Sequence, residues 1–315
     1  MSVEGDAYHE PVLLEEAVAS LNCRNGGIYV DGTVGGGGHA ALILERSAPD
    51  GFLLGMDVDS DALQAAEKRL MSFGPRKRLL KANYADIRQV LADQKIPEVD
   101  GILLDLGVSS HQLNTAERGF SFMQDAPLDM RMDSESRLSA YDVVNNCSEQ
   151  ELKKIIRQYG EEIMAGRIAR AIAAKRKDAP IRTTTQLAAI VAGSLPGASR
   201  HKKIHPATRT FQALRIYVNN ELSNLCRAIS SGTDCLKLGA RFSIISFHSL
   251  EDGIVKNTFR SLEKGCICPA DMPFCTCGQS PRLKVITRKP VSPSLEEVGV
   301  NPRSRSARLR TAERI

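Results

Sequence analysis

Three carboxylates and a run of glycines near the start of the chain have the types and spacing to grip a nucleotide-containing cofactor. Ile28-Tyr-Val-Asp31 leads into Gly32-Thr-Val-Gly35-Gly-Gly-Gly38-His39-Ala40, and Gly35-x-Gly37-x-x-Ala40 fits the pattern in which a strand turns through glycines into a helix. A second apolar run ends in Asp57, where an acid holds ribose hydroxyls. That much leaves NAD open. Asp31 argues against it, because a carboxylate directly before the turn would repel a pyrophosphate and suits a cationic amino group. Asp105 closes a further apolar run, and Asn83-Tyr84-Ala85-Asp86 places an aromatic where it can cover a purine ring. An ammonium, a sulfonium, a ribose and no phosphate describe S-adenosylmethionine. Any one of these acids could be an ordinary turn residue; Asp31, Asp57 and Asp105 together are not explained that way.

The elements that must position them alternate. Strands are expected at 28–33, 52–57, 78–83 and 100–107, with a helix at 60–71 that Ser60 caps and that aligns Leu63, Ala66 and Leu70 on one face. Strands alternating with helices imply a parallel sheet. After Ser110 the pattern changes, and from about 141 to 228 the periodic segments read as helices. In the last of them Pro206 serves as a first helical residue, and Phe211, Leu214, Val218, Leu222 and Leu225 fall on one stripe. Strand character resumes at 239–246, 283–288 and 307–313. The expected architecture is an α/β sheet interrupted by an all-helical insertion. Its parts are 1–112 for the first half of the sheet domain, 113–215 for the insertion and 216–315 for the second half.

The chain has 315 residues, 42% of them hydrophobic and 25% charged, a globular balance. No basic-flanked apolar leader and no membrane-length apolar run is present, so a cytoplasmic protein is expected. The net charge of +5 hides an asymmetry: residues 151–220 hold fourteen Lys or Arg against four Asp or Glu. The cations Arg167, Arg170, Lys175, Arg176, Lys177, Arg200, Lys202, Lys203, Arg209 and Arg215 suggest a polyanion partner, with a solvated helical surface as the plainer reading. Cys23, Cys147, Cys226 and Cys235 are scattered and expected to pack as small buried hydrophobes. Cys266, Cys268, Cys275 and Cys277 instead form C-x-C-x₆-C-x-C. Two readings fit: a structural zinc clip, or a cysteine-rich loop without metal. Nothing in the sequence fixes an oligomeric state.

Longer stretches carry a resemblance. They include Asp31-Gly-Thr-Val-Gly-Gly-Gly-Gly-His39, Asp100-Gly-Ile-Leu-Leu-Asp-Leu-Gly-Val-Ser-Ser110, Glu117-Arg-Gly-Phe-Ser-Phe-Met, Pro127-Leu-Asp-Met-Arg-Met-Asp133, His205-Pro-Ala-Thr-Arg-Thr-Phe-Gln-Ala-Leu-Arg215 and Ser243-Ile-Ile-Ser-Phe-His-Ser-Leu-Glu-Asp252. In this order, across nearly the whole chain, they resemble the bacterial ribosomal RNA small subunit methyltransferase H family, also called MraW, which is specific for cytosine N4. The resemblance implies a class I methyltransferase fold (Rossmann-like), S-adenosylmethionine as donor and a cytidine in the decoding region of 16S rRNA as acceptor. It also implies cofactor contacts at Gly38, His39, Ala40, Asp57, Tyr84, Asp105 and Gln112. The residues themselves point to the turn, Asp57, Tyr84 and Asp105; Gln112 comes from the resemblance alone. Thr33 stands where the general methyltransferase motif has glycine, a departure that the family shares.

A cytosine amino group is a poor nucleophile, so an acceptor aimed at its N–H bonds is expected. Other amino-methyltransferases place an Asp/Asn/Ser-Pro-Pro-aromatic motif here, whereas this chain has Asp105-Leu-Gly-Val without prolines. Asp105 is the first candidate for the catalytic acceptor, followed by Ser109, Ser110 and His248; His248 serves equally as a structural histidine. Two other functions stay open at this point: an NAD-dependent oxidoreductase on a similar sheet, and an RNA-binding assembly factor that has lost activity. Changing Arg200, Lys202 and Lys203 together to Glu is expected to weaken rRNA binding about tenfold or more while leaving S-adenosylmethionine affinity intact. A filter-binding titration that showed unchanged rRNA affinity would refute the basic insertion as the RNA grip.

Overall fold

A computed structural model describes residues 11–196, 205–266, 268, 274 and 277–315. Arg200, Lys202, Lys203 and Cys275 lie outside the described residues. The chain divides into two compact units, one of residues 1–107 with 222–315, the other of residues 108–221. The limits expected at 112 and 215 thus fall instead at Gly107 and Glu221, because the helix Thr208–Val218 packs on the helix Glu149–Gly160 and belongs to the same core.

In the first unit seven strands form one sheet: β1 (Ile28–Asp31), β2 (Phe52–Asp57), β3 (Lys77–Lys81), β4 (Val99–Asp105), β5 (Leu236–Ser246), β6 (Leu283–Val285) and β7 (Arg308–Arg314). Their order is β3-β2-β1-β4-β5-β7-β6, with β7 antiparallel to both its neighbours and the other pairings parallel. This is the class I methyltransferase sheet. Alternate residues face opposite layers. Tyr29, Leu53, Leu103 and Ile245 pack with the helices Leu14–Leu21 and Gly38–Arg46, while Val30, Leu54, Ile102, Leu104 and Phe242 pack with Ile87–Asp93, Glu221–Asp234 and Ser249–Lys264. Both faces are covered, which is why the strands read as continuous apolar runs rather than alternating ones. The chain winds outward from β1 to β3, then crosses back to β4, so the order reverses between β1 and β4. Ligands bind outside the carboxyl ends of strands at such a point.

The second unit has its own core, built from Leu128, Val143, Ile156, Ile168, Leu187 and Leu214 among others. Four of its helices start at side-chain caps that bond reciprocally with the third helical residue: Ser109 with Gln112, Ser139 with Asp142, Ser148 with Glu151, Thr183 with Gln186. Asn219 ties down the 127–133 stretch, accepting from the Met132 N–H (2.7 Å) and donating to the Met130 carbonyl (2.8 Å).

Several expectations are corrected. Asp59, not Ser60, caps the helix Ser60–Arg69, accepting the Asp61 N–H at 3.1 Å. The stripe from Phe211 to Leu225 spans two helices, Thr208–Val218 and Glu221–Asp234, because Asn220 takes a left-handed conformation (φ 51°) between them. Pro206 precedes the first of these helices rather than opening it. Of the scattered cysteines only Cys235 is buried; Cys23 and Cys147 are partly buried and Cys226 is exposed.

Asp252 is the buried polar anchor of the outer strands. It accepts from Arg310 Nε (2.7 Å) and Nη2 (3.1 Å) and from Arg308 Nη1 (3.2 Å). Burial alone would raise the Asp252 carboxyl, but the bonds from Arg310 and Arg308 outweigh it and hold it below the usual carboxylate range. Asp252→Ala would leave the Arg310 guanidinium buried and uncompensated. Urea unfolding is expected to show a loss of about 3 kcal/mol; a loss within error of zero would mean that water replaces the carboxylate.

Candidate cofactor site at the carboxyl edge of the sheet

The glycine turn is fastened at three points. The Gly32 N–H bonds to the Leu103 carbonyl (2.9 Å), the Val34 N–H to the Met56 carbonyl (2.9 Å), and the Gly35 N–H to Asp57 Oδ2 (2.9 Å). These bonds join the turn to the ends of β4 and β2, the strands on either side of β1. Gly32 leaves no room for a side chain: a Cβ there would collide with Leu104 Cδ2 and come within 3.0 Å of Tyr84 Cβ. Tyr84, opening a short turn after β3, therefore lies against the start of the loop. Gly37 takes φ 79° at the cap of the helix Gly38–Arg46, with the Ala66 backbone 3.3 Å from where its Cβ would stand, so geometry and space both demand glycine.

Thr33 explains its own departure from the general motif. Its Oγ1 accepts the Asp105 N–H at 2.6 Å, a side-chain bond that ties the end of β1 to the end of β4. Glycine could not make it.

The acids converge as expected. Asp31 is 1% exposed and accepts the Thr33 N–H at 3.1 Å. Burial pushes its carboxyl up to about 7; the Thr33 N–H opposes the rise and the charge of Asp57 adds to it. Asp57 uses both oxygens, Oδ2 for Gly35 and Oδ1 for the Asp59 N–H (2.9 Å). Burial takes it up to about 6 against those two N–H bonds. Asp105 lies well above the usual carboxylate range, through burial first and then the charges of Asp31 and Glu251. Its Oδ1 is buried and has no hydrogen-bond partner among the described residues. Its Oδ2 is 3.8 Å from His39 Nδ1.

Gly38, His39 and Ala40 are the first three residues of their helix, ahead of the first return bond, Ala41 N–H to Gly37 carbonyl at 2.9 Å. Their backbone amides thus form the positive end of the helix. The side chains of His39 and Ala40 are buried. Ala40 is fully buried in the core layer, and His39 Nε2 lies 3.0 Å from the Val12 carbonyl. A carbonyl only accepts, so the Nε2 proton is fixed there. Any ligand contact at Ala40 is a main-chain contact.

Gln112, Ser109 and Ser110 belong to the helical unit. Ser109 and Gln112 form a reciprocal cap: the Gln112 N–H donates to Ser109 Oγ and the Ser109 N–H to Gln112 Oε1, both at 3.1 Å. His248 caps the helix Ser249–Lys264, its Nδ1 accepting the Glu251 N–H at 3.4 Å and its Nε2 3.2 Å from Glu251 Oε1. Glu251 is 2% exposed, and its Oε2 accepts the Phe247 N–H at 2.8 Å. Because its charge reaches Asp105, Glu251 is a site residue that sequence reasoning passed over. Its spacing, His248-x-x-Glu251, gives the signal of a helix cap and nothing more.

A model of the MraW methylase family matches residues 6–315. The chain belongs to that family. It is 84% identical over 309 residues to a protein of Syntrophus aciditrophicus named ribosomal RNA small subunit methyltransferase H, covering 98% of both chains. Proteins of the same name from Geotalea uraniireducens and Geobacter sulfurreducens are 54% and 52% identical, each covering 98% of this chain and 99% of its own. A solved putative methyltransferase of Streptococcus mutans, in complex with SAH, aligns over 98% of this chain and 100% of its own at TM-score 0.46 and 12% identity. Membership of this methylase family and the class I sheet make the chain a methyltransferase, with S-adenosylmethionine the donor of its fold class.

A cation favours the ionised form of a carboxyl, so a donor ammonium placed at Asp31 would lower its pKa from about 7 and release a proton. S-adenosylmethionine affinity is therefore expected to rise with pH up to about 7 and to level off above it. Calorimetry in two buffers of different ionisation enthalpy should register that proton; heats independent of the buffer would show that Asp31 does not face the cation.

Proposed function

We propose that the chain methylates the N4 amino group of a cytidine in the decoding region of 16S rRNA. The observation that carries this is Asp105 Oδ1, a buried acceptor without a partner at the reversal point of the sheet, where an amino N–H can supply the missing bond. S-adenosylmethionine supplies an activated methyl group on a sulfonium.

The chain's own residues do the rest. The amides of Gly38, His39 and Ala40 suit the donor's carboxylate. Asp31 suits its ammonium, Asp57 its ribose hydroxyls, and Tyr84 its adenine. The Gln112 contact is carried over from the family resemblance; its oxygen is held in the cap with Ser109. Asp105 would accept one N–H of the cytosine amino group, which steers the nitrogen lone pair out of conjugation. A carboxyl with a raised pKa is also a stronger base for the amino proton. Orientation of the nitrogen supplies much of the acceleration. A zinc held by the thiols of the 266–277 loop would be structural and would serve that loop rather than the transfer.

The helical unit offers the RNA grip, with fewer cations than the sequence count implied. Arg215 is committed to Glu221 by two bonds (2.9 and 2.8 Å) in a largely buried pair, and Arg176 donates to the Val144 carbonyl at 2.7 Å. Arg170, Lys175 and Arg209 face Glu149, Asp178 and Glu162 at 3.7, 3.2 and 3.8 Å, pairs with exposed cations that hold weakly and can yield to phosphate. Arg167 and Lys177 are exposed as well. Among the described residues no helix is long and apolar enough to cross a membrane, which accords with a cytoplasmic enzyme working on ribosomal subunits. The target base must leave its stack to reach a buried carboxyl.

Asp105→Asn keeps shape and removes the base. It is expected to lower kcat by about 10²–10⁴ with a much smaller change in S-adenosylmethionine affinity. Nucleoside mass spectrometry of 16S rRNA from a deletion strain complemented with each form should find N4-methylcytidine restored by wild type and not by the variant. Full restoration by Asp105→Asn would remove Asp105 from the reaction.

A further inference from the structure

We infer that Cys266, Cys268 and Cys277 form a thiolate site for a zinc-class divalent cation, a clip on the excursion between the helix Ser249–Lys264 and β6. The three sulfurs lie within 4.8 Å of one another, although Cys277 is eleven positions from Cys266. The Cys266 and Cys277 sulfurs are 3.8 Å apart. A disulfide would need about 2.05 Å. Tetrahedral zinc with Zn–S bonds of about 2.3 Å places its sulfurs about 3.8 Å apart. The observed separation, at which the Cys277 thiol donates to Cys266 Sγ, is too long for a cystine and matches the spacing of two thiolates on one tetrahedral metal.

Among the described residues of the loop, Phe274 is 80% exposed and the three cysteines are only partly buried. Its base is already closed by the backbone. The Arg282 N–H bonds to the Leu262 carbonyl at 2.8 Å, and the Cys266 N–H to the Lys264 carbonyl at 2.8 Å. Gly265 presses on the Ser280 and Pro281 backbone so closely that a Cβ would overlap both. Beside that closed base lie the sulfurs of Cys266, Cys268 and Cys277. Soft, polarisable thiolates at this spacing select zinc over magnesium or calcium, whose ligands are oxygens. The sequence places a further thiol, Cys275, two residues before Cys277; it lies outside the described residues, and the other three define the site without it.

Zinc binding here is independent of methyl transfer, and its test reads the metal rather than activity. Full-length protein purified without chelator is expected to carry about one zinc per chain by plasma mass spectrometry. After exchange with Co²⁺ it should show a sulfur-to-cobalt charge-transfer band and the strong visible d–d bands of a tetrahedral thiolate site. Cys266→Ser with Cys277→Ser should abolish both, whereas Cys226→Ser, at an exposed thiol elsewhere, should leave both unchanged. The cobalt spectrum of the wild-type chain stands even if the double variant folds poorly. Wild-type protein without metal that develops no cobalt–thiolate band, or a well-folded double variant that keeps its zinc, would overturn the inference.

Discussion

Three carboxyls crowd the carboxyl edge of one sheet, and the donors that Asp31 and Asp57 accept from are backbone N–H groups rather than basic side chains. That crowding is the constraint on which the site depends. It raises all three pKa values, because burial disfavours each charge and neighbouring charges disfavour it further. Without ligand, the edge holds protons it would not hold in water. A cationic ligand removes the conflict, whereas a pyrophosphate would deepen it. The preference for a sulfonium donor over a dinucleotide is thus written in the electrostatics of the sheet edge and not in the glycine pattern, which both ligands share.

Holding like charges together requires a rigid frame. The frame comes from strands covered on both faces and from two cross-links at the edge itself, Thr33 Oγ1 to the Asp105 N–H and Asp57 Oδ2 to the Gly35 N–H. The first of these costs the turn a glycine and gains a tie between β1 and β4, the two strands that flank the reversal of order. Asp57 serves twice. Oδ2 shapes the loop, and each oxygen keeps a lone pair beyond the N–H it accepts. Under the proposed ribose contact, loop shape and ligand recognition would be coupled through the same carboxylate.

How much of this was legible in the sequence depended on how local the cause was. Strand ends and their acids were readable because an apolar run bounded by glycine and aspartate has few other meanings. Asp59 and Ser60 are both good caps, and only the bond to the Asp61 N–H tells them apart. The break at Asn220 was hidden because the apolar stripe keeps phase across it, so periodicity alone counted two helices in two units as one. Ala40 looked like a contact residue, yet only its amide is open to that role; its methyl group is core. Glu251 disguised itself as a helix cap, its coupling to Asp105 arising from tertiary burial that no spacing reveals. Arg215 counted toward a basic face until its two bonds to Glu221 withdrew it.

The stretch after β4 shows how this chain can present Asp105, the proposed acceptor, without a proline pair. The Leu106 N–H bonds to the Ile245 carbonyl at 3.0 Å, which extends the β4–β5 ladder one residue past Asp105. A proline at that position would lack the N–H and forfeit the bond. The ladder instead holds the Asp105 backbone from one side while Thr33 holds its N–H from the other. Its side chain is left with Oδ1 unsatisfied under the charges of Asp31 and Glu251. An isolated buried acceptor of this kind is costly to the folded state. Its persistence between two rigid ties is understandable if a bound donor group completes it, and an exocyclic amino group, with two N–H bonds and a lone pair to redirect, meets that need where a hydroxyl with its single O–H offers less.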